Sequence, residues 1–261
     1  RTYIISDGET AVVTKDSVWV TNREGVPITK KVFEVNWDAG AAEKGGYEHF
    51  MCKEIYEQPK AIRETMSARL AKDDSAVIMD ELNWSKEYLS SISKIFIVAC
   101  GTAYHAGFVG KYYIEKLARI PVEVDIASEF RYRSPILDES TLTIVISQSG
   151  ETSDTLAALK EAKRLGSKTM AITNVVGSSI AREADQVVYT WAGPEIAVAS
   201  TKAYTTQLIT VFMLATYMAG LKETISADYA KSLISSLRKV PAQISEILED
   251  VEPIKTFVHK F

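Results

Sequence analysis

The period of hydrophobic positions changes along the chain. Over residues 1–37 it is close to two: Tyr3-Ile4-Ile5, Ala11-Val12-Val13, Ser17-Val18-Trp19-Val20 and Lys31-Val32-Phe33-Glu34-Val35 are separated by Asp7-Gly8, Lys15-Asp16 and Glu24-Gly25-Val26-Pro27. This predicts a small antiparallel β segment with too few apolar residues to stand alone, so something should cover its other face. Residues 38–47 are small, polar and glycine-rich and read as a linker. Helical spacing then runs through His49, Phe50, Ile55 and Tyr56, and resumes past Pro59 with Ile62, Met66 and Leu70.

From Lys94 the pattern becomes short apolar runs alternating with amphipathic stretches. Strands are expected at 95–99, 122–126, 142–147, 169–173 and 186–189, with helices between them at 104–117, 154–165 and 178–184. Nearly continuous apolar strands joined by helices predict a doubly wound, five-stranded parallel sheet flanked by helices: an α/β fold. In strand order 2-1-3-4-5 the loops after the first and third strands flank the switch point, where ligands bind. An apolar helix is predicted up to Gly220. A longer amphipathic helix over 223–250 follows, with Leu233, Leu237, Val240, Ile244 and Leu248 on one stripe and Pro241 as a bend or break.

Composition narrows the function classes. The chain has 261 residues, 46% hydrophobic and 25% charged, which suffices for a full core. A net charge of −4 and the lack of a basic run argue against nucleic acid, and no apolar stretch is long enough for a membrane span. The two cysteines, Cys52 and Cys100, form no disulfide framework or zinc pattern, and His49, His105 and His259 are scattered. No metal or cofactor is expected, and a reducing cytoplasm is the expected compartment. There is no signal-peptide pattern and no initiator methionine, which hints at a piece of a longer chain.

Candidate chemistry gathers at Ser147-Gln148-Ser149-Gly150-Glu151-Thr152, where a β-branched run gives way to hydroxylated residues around a glycine and then to a helix. That helix carries Leu156, Leu159, Ala162 and Leu165 on one face, with Gly166 at its end. The first turn of a helix offers unpaired N–H groups and a partial positive charge; hydroxyls at Ser147, Ser149, Thr152 and Thr155 add donors, and glycine permits close approach. Together they can hold a phosphate dianion without a lysine. The alternative is that they only cap the helix. Thr102, after the first strand, reads either as a ligand donor or as a helix cap. Cys100 reads as a buried inert thiol and His105 as a surface or packing residue. Small residues at Ala197, Ala199 and Ser200 would leave room for a bound ligand. Glu48-His49 with Glu54 and Glu57 reads as a polar helix face. Arg131 and Arg133 suggest phosphate clamps or structural pairs with Glu129 and Asp138, and Lys202 a charged helix terminus.

The Ser147–Thr152 segment resembles the phosphosugar-binding loop of the sugar isomerase (SIS) domains. With Cys100-Gly101-Thr102, Ala127-Ser128-Glu129-Phe130-Arg131-Tyr132-Arg133 and the run from Ala199 to Gln207, the whole chain resembles the middle of the isomerising glutamine–fructose-6-phosphate aminotransferases. The resemblance implies that residues 1–37 are the last strands of a truncated glutaminase domain, that 38–60 are linker and helix, that 61–222 form a first SIS domain and that 223–261 lead into a second. It implies a site for fructose 6-phosphate or glucosamine 6-phosphate. Ser147, Gln148, Ser149 and Thr152 would grip the phosphate, and Thr102, Val198 and Ser200 would line the sugar. The catalytic residues of such enzymes lie outside this chain, which is therefore expected to bind without turning over. A glutaminase domain, a second SIS domain and a second copy of the chain are the implied partners. The alternative is a non-catalytic SIS-type sensor of sugar phosphates. A standalone isomerase would need Glu151 or Glu195 as its base.

Overall fold

A computed structural model describes residues 2–33, 43–258 and 260. It divides into two compact units, residues 1–43 and 44–261. In the first unit β1 (Thr2–Tyr3) pairs antiparallel with the last strand of the unit, while β2 (Thr10–Val13), β3 (Val18–Thr21) and β4 (Pro27–Ile28) form a three-stranded antiparallel sheet. The last strand is β5 (Val32–Phe33). The expected meander is thus two small sheets, and β4 lies where only a turn was expected. Asn22 explains it: its side-chain oxygen accepts from the N–H of Glu24 and Val26, tightening the turn so that Val20 can pair with Ile28. Val20 is buried, whereas Val12, Val13, Val18 and Trp19 are exposed. The expected strand end at Glu34-Val35 and linker residues 38–42 lie outside the described residues.

The second unit opens with α1 (Phe50–Met66), which runs unbroken through Pro59 rather than restarting after it. Proline removes one i→i−4 hydrogen bond, here to the Ile55 carbonyl. The Gln58 side chain supplies a donor to that carbonyl at 2.9 Å, so the helix continues. After α2 (Lys86–Ser90) come β6 (Lys94–Ala99), α3 (Gly101–Tyr113) ending in a π-helical turn, β7 (Val122–Ile126), α4 (Ala127–Phe130) and β8 (Thr141–Ser147). Then follow α5 (Ser153–Arg164), β9 (Lys168–Thr173), α6 (Ser179–Glu183), β10 (Gln186–Tyr189), α7 (Lys202–Leu221), α8 (Ala227–Glu249) and α9 (Glu252–Val258).

The sheet order is β10-β9-β8-β6-β7, all parallel, which is the 2-1-3-4-5 arrangement. Alternate strand residues feed two cores. Ile95, Ile97, Ile144, Ile146, Met170 and Ile172 pack with α1, α3, α7 and α8 on one face. Phe96, Val98, Val145 and Ala171 pack with α4, α5 and α6 on the other. There Phe96 meets Phe130 edge-on at 5.6 Å, a contact worth about 0.5–1.5 kcal/mol beyond its burial. α7 is apolar nearly all round because it is covered on several sides, and Gly110 of α3 lets Val211 approach. α8 carries Pro241 within an unbroken helix, and its stripe of Leu233, Leu237, Val240 and Ile244 lies against the first core. Among the described residues no helix is long and apolar enough to cross a membrane.

Candidate phosphosugar site

The β8–α5 loop is built almost entirely from neighbouring backbone. β8 is buried over its whole length and ends at Ser147. Gly150 turns the chain at φ +66°, and a Cβ there would sit 2.0 Å from Ser178 Oγ and 2.9 Å from Thr173 Oγ1. Only glycine fits both the dihedral and the space. The Gly150 carbonyl accepts from Ile180 N–H at 2.9 Å and the Gln148 carbonyl from Asn174 N–H at 3.1 Å, so the turn between β9 and α6 clamps the loop. Inside it, Ser147 Oγ accepts from Gly150 N–H and is hydrogen-bonded to Thr152 Oγ1, both at 3.0 Å, while Ser149 Oγ accepts from Glu151 N–H at 3.2 Å.

Thr152 is the N-cap of α5, but its hydroxyl makes no capping hydrogen bond. The first intrahelical bond runs from Leu156 N–H to the Thr152 carbonyl, which leaves the N–H groups of Ser153, Asp154 and Thr155 without helical partners. Thr152 therefore does not cap α5 through its side chain. Two carboxylates stand near this positive end, and both are engaged. Glu151 Oε1 accepts from Ser179 N–H at 2.7 Å, and Asp154 lies 3.6 Å from Arg131. Thr155, fully buried, has a hydroxyl with no partner.

The second loop leaves the sheet beside the first, because Ala99 pairs with Ile146. α3 starts at Gly101, three residues earlier than expected, with Cys100 as N-cap and φ +58° at Gly101. Thr102 is therefore not the cap; it sits exposed in the first turn. Cys100 is a free, half-buried thiol rather than a fully buried one. His105 is exposed on α3, its ring 5.7 Å from that of Tyr104. Two helix N-termini, of α3 and α5, thus flank the switch point.

The start of the connection between β10 and α7 is tied to the β8–α5 loop through Asn174. Asn174 Oδ1 accepts from Ala192 N–H at 2.8 Å and Thr190 Oγ1 at 3.1 Å, and its Nδ2 donates to the Gly193 carbonyl at 2.7 Å. The same residue's N–H holds Gln148. Farther along, Glu195 takes the N–H of Thr201 at 2.9 Å and of Ala203 at 3.0 Å, plus the Ser200 hydroxyl at 3.0 Å. Its carboxylate caps α7, while Glu151 is exposed and holds the Ser179 N–H through one oxygen. Val198 is fully exposed.

Several expectations need correction. Glu54 and Glu57 are not a solvated face: Glu54 is 2% exposed and accepts from the N–H of Ile196 at 2.6 Å and Ala197 at 3.1 Å. Lys202 does stand at a helix terminus, as the first residue of α7, but it is buried there and pairs at 2.5 Å with Glu57. Glu48 and His49 do remain exposed. Arg133 bonds Asp125 at 2.5 Å and packs on Phe96 and Phe130, rather than pairing with Glu129 or Asp138. Asp138 instead accepts from Ser140 and Thr141, hydrogen bonds that hold its carboxyl below the usual range. Asn174 and Glu54 carried no local sequence signal. Among the described residues no cluster of His, Cys, Asp and Glu is placed to hold a metal.

Residues 88–217 match the SIS domain family. The chain is 61% identical over 255 residues to glutamine–fructose-6-phosphate aminotransferase (isomerizing) of Caldanaerobacter subterraneus subsp. tengcongensis, covering 98% of this chain and 42% of that protein. It is 49% identical over 257 residues to the protein of the same name from Methanosarcina acetivorans, again covering 98% of this chain and 42% of the relative. Among solved structures it resembles the C-terminal domain of glucosamine-fructose-6-phosphate aminotransferase from Francisella tularensis, with TM-score 0.72, 43% identity, and coverage of 77% of this chain and 56% of that one. The chain spans less than half the length of the curated relatives it matches.

Proposed function

We propose that the chain, whose residues 88–217 match the SIS domain family and which as a whole is similar to one stretch of the isomerizing glutamine–fructose-6-phosphate aminotransferases, supplies the sugar-phosphate-binding site of such an enzyme. The reaction would convert fructose 6-phosphate and glutamine to glucosamine 6-phosphate and glutamate. The observation that carries this reading is the β8–α5 loop: an exposed helix N-terminus, uncapped by the hydroxyl at its cap position, beneath Ser147, Ser149 and Thr152. Such a terminus is suited to a phosphate dianion. Gripping a remote phosphate lets binding energy orient the reacting carbons, which is how an isomerase benefits from a group that does not react.

In this reading Ser147, Gln148, Ser149 and Thr152 hold the phosphate, and Thr102, Val198 and Ser200 line the sugar. Residues 1–37 are the end of a glutaminase domain, residues 38–60 the link, and residues 61–222 the first SIS domain. Residues 223–261 are the approach to a second SIS domain that holds the proton-transfer groups. Self-association into a dimer and a cytoplasmic setting complete the proposal. Calorimetric titration with fructose 6-phosphate tests it, with unphosphorylated fructose and the Ser149→Ala/Thr152→Ala variant as controls. Saturable binding that requires the phosphate, and that weakens about tenfold or more in the variant, is the expected result. Equal binding of fructose, or no effect of the double substitution, would reduce the loop to a turn before a helix.

A further inference from the structure

The segment that would face the sugar has little of its own to hold it in shape. Pro194-Glu195-Ile196-Ala197-Val198-Ala199 lies between β10 and α7 without regular secondary structure, and Val198 buries none of its side chain. Its ends are secured, by Asn174 at Ala192 and Gly193 and by Glu195 at Ser200, Thr201 and Ala203. Its middle is held from another element. Glu54 of α1 receives both the Ile196 and the Ala197 N–H on a single oxygen, Oε1, and its other oxygen is buried without a partner. The same edge of α1 carries Glu57, paired with Lys202, and Gln58, whose side-chain oxygen accepts from Thr205 Oγ1 at 2.6 Å. A buried carboxylate that fills half its hydrogen-bonding capacity is a costly way to stabilise a fold. It is a direct way to fix two consecutive peptide groups.

We infer that Glu54 is a positioning residue for sugar recognition. It lies outside the matched SIS segment, and it fixes the β10–α7 connection so that Val198 and Ser200 face the sugar of a bound hexose phosphate. The inference rests on the phosphosugar reading above and adds that the sugar half of the site depends on a helix preceding the domain. The side-chain hydrogen bonds of Glu54 run to the β10–α7 connection and not to the β8–α5 loop, so its removal should separate the two halves of the site.

The test titrates the chain and its Glu54→Ala and Glu54→Gln variants with inorganic phosphate and with fructose 6-phosphate. Glu54→Ala should leave the phosphate affinity within about twofold while fructose 6-phosphate weakens about tenfold, toward the affinity for phosphate alone. Glu54→Gln keeps an oxygen that can accept both N–H groups and should recover most of the difference. Retained phosphate binding also reports an intact fold. If Glu54→Ala does not fold, Glu54→Asp, one methylene shorter, takes its place with the same expectation. Unchanged fructose 6-phosphate affinity, or equal loss for both ligands, overturns the inference. If the unaltered chain binds phosphate but gains nothing from the sugar, the phosphosugar reading itself fails.

Discussion

The β8–α5 loop and the β10–α7 connection meet at Asn174 but are held in opposite ways. The first is secured from within three residues of itself and by the adjoining β9–α6 turn: Ser147 takes Gly150 N–H, and Ile180 and Asn174 take up its carbonyls. The second is secured in its middle by a carboxylate 142 residues earlier in the chain. A group that recognises a phosphate can be short-range, because a helix N-terminus and a glycine turn are local products of sequence. On the proposed reading the sugar would meet an irregular backbone, and the middle of that backbone is fixed by a helix far earlier in the chain.

The comparison can be broken most sharply at Gly150. Gly150→Ala places a Cβ 2.0 Å from Ser178 Oγ at a positive φ, and we expect a loss of about 3 kcal/mol or more in urea denaturation together with loss of phosphate binding. Near-normal stability would mean that the loop is loose. Next is Asn174→Ala, which removes three side-chain hydrogen bonds from the end of β9 to the start of the β10–α7 connection and so loosens the turn that also holds Gln148. A cost of about 2–3 kcal/mol is expected, with weaker binding of both phosphate and fructose 6-phosphate, in contrast to Glu54→Ala. Ser147→Ala should cost on the order of 1–2 kcal/mol and weaken inorganic phosphate by a few fold, since its buried oxygen orders Gly150 and Thr152.

The smallest effect is expected at the far end of the sheet, where Asp185 braces the start of β9. Burial opposes its ionisation, but hydrogen bonds from the Thr169 side chain and N–H, and from Lys163, outweigh it and hold the carboxyl below its ordinary value. A depressed carboxylate stabilises the fold above its unfolded pKa, and that contribution is lost as pH falls through the folded value. Half of the Asp185 side chain is open to solvent, which screens these interactions, so Asp185→Asn should cost only about 0.5 kcal/mol at neutral pH, the difference shrinking below about pH 4, with no change in ligand affinity.

The same division between local and distant explains what could be read from the sequence. The five strands β6 to β10 and their parallel pairing follow from buried β-branched runs joined by helical crossovers, and their observed 2-1-3-4-5 order is one that such a doubly wound sheet commonly takes. Gly150 and its hydroxyl neighbours stand out because the turn and the helix start are encoded side by side. Glu54, Glu57 and Asn174 do not, because each is an ordinary polar residue until the fold brings a distant partner to it. A Glu-rich helix edge has the same spacing whether it faces water or a buried backbone. Pro59 misled for a related reason: Gln58, next to it, supplies the donor that keeps α1 intact, and no propensity reports that. The start of α3 at Gly101 likewise turns on a backbone dihedral rather than on hydrophobic period.

The central claim, that phosphate and sugar are recognised by separately held walls, is tested most directly by amide chemical shifts of the isotopically labelled chain. Inorganic phosphate should perturb the amides of residues 149–155 and leave those of 196–201 in place, and fructose 6-phosphate should then perturb both sets. Equal perturbation of both by phosphate alone, or none at residues 149–155, would contradict the account.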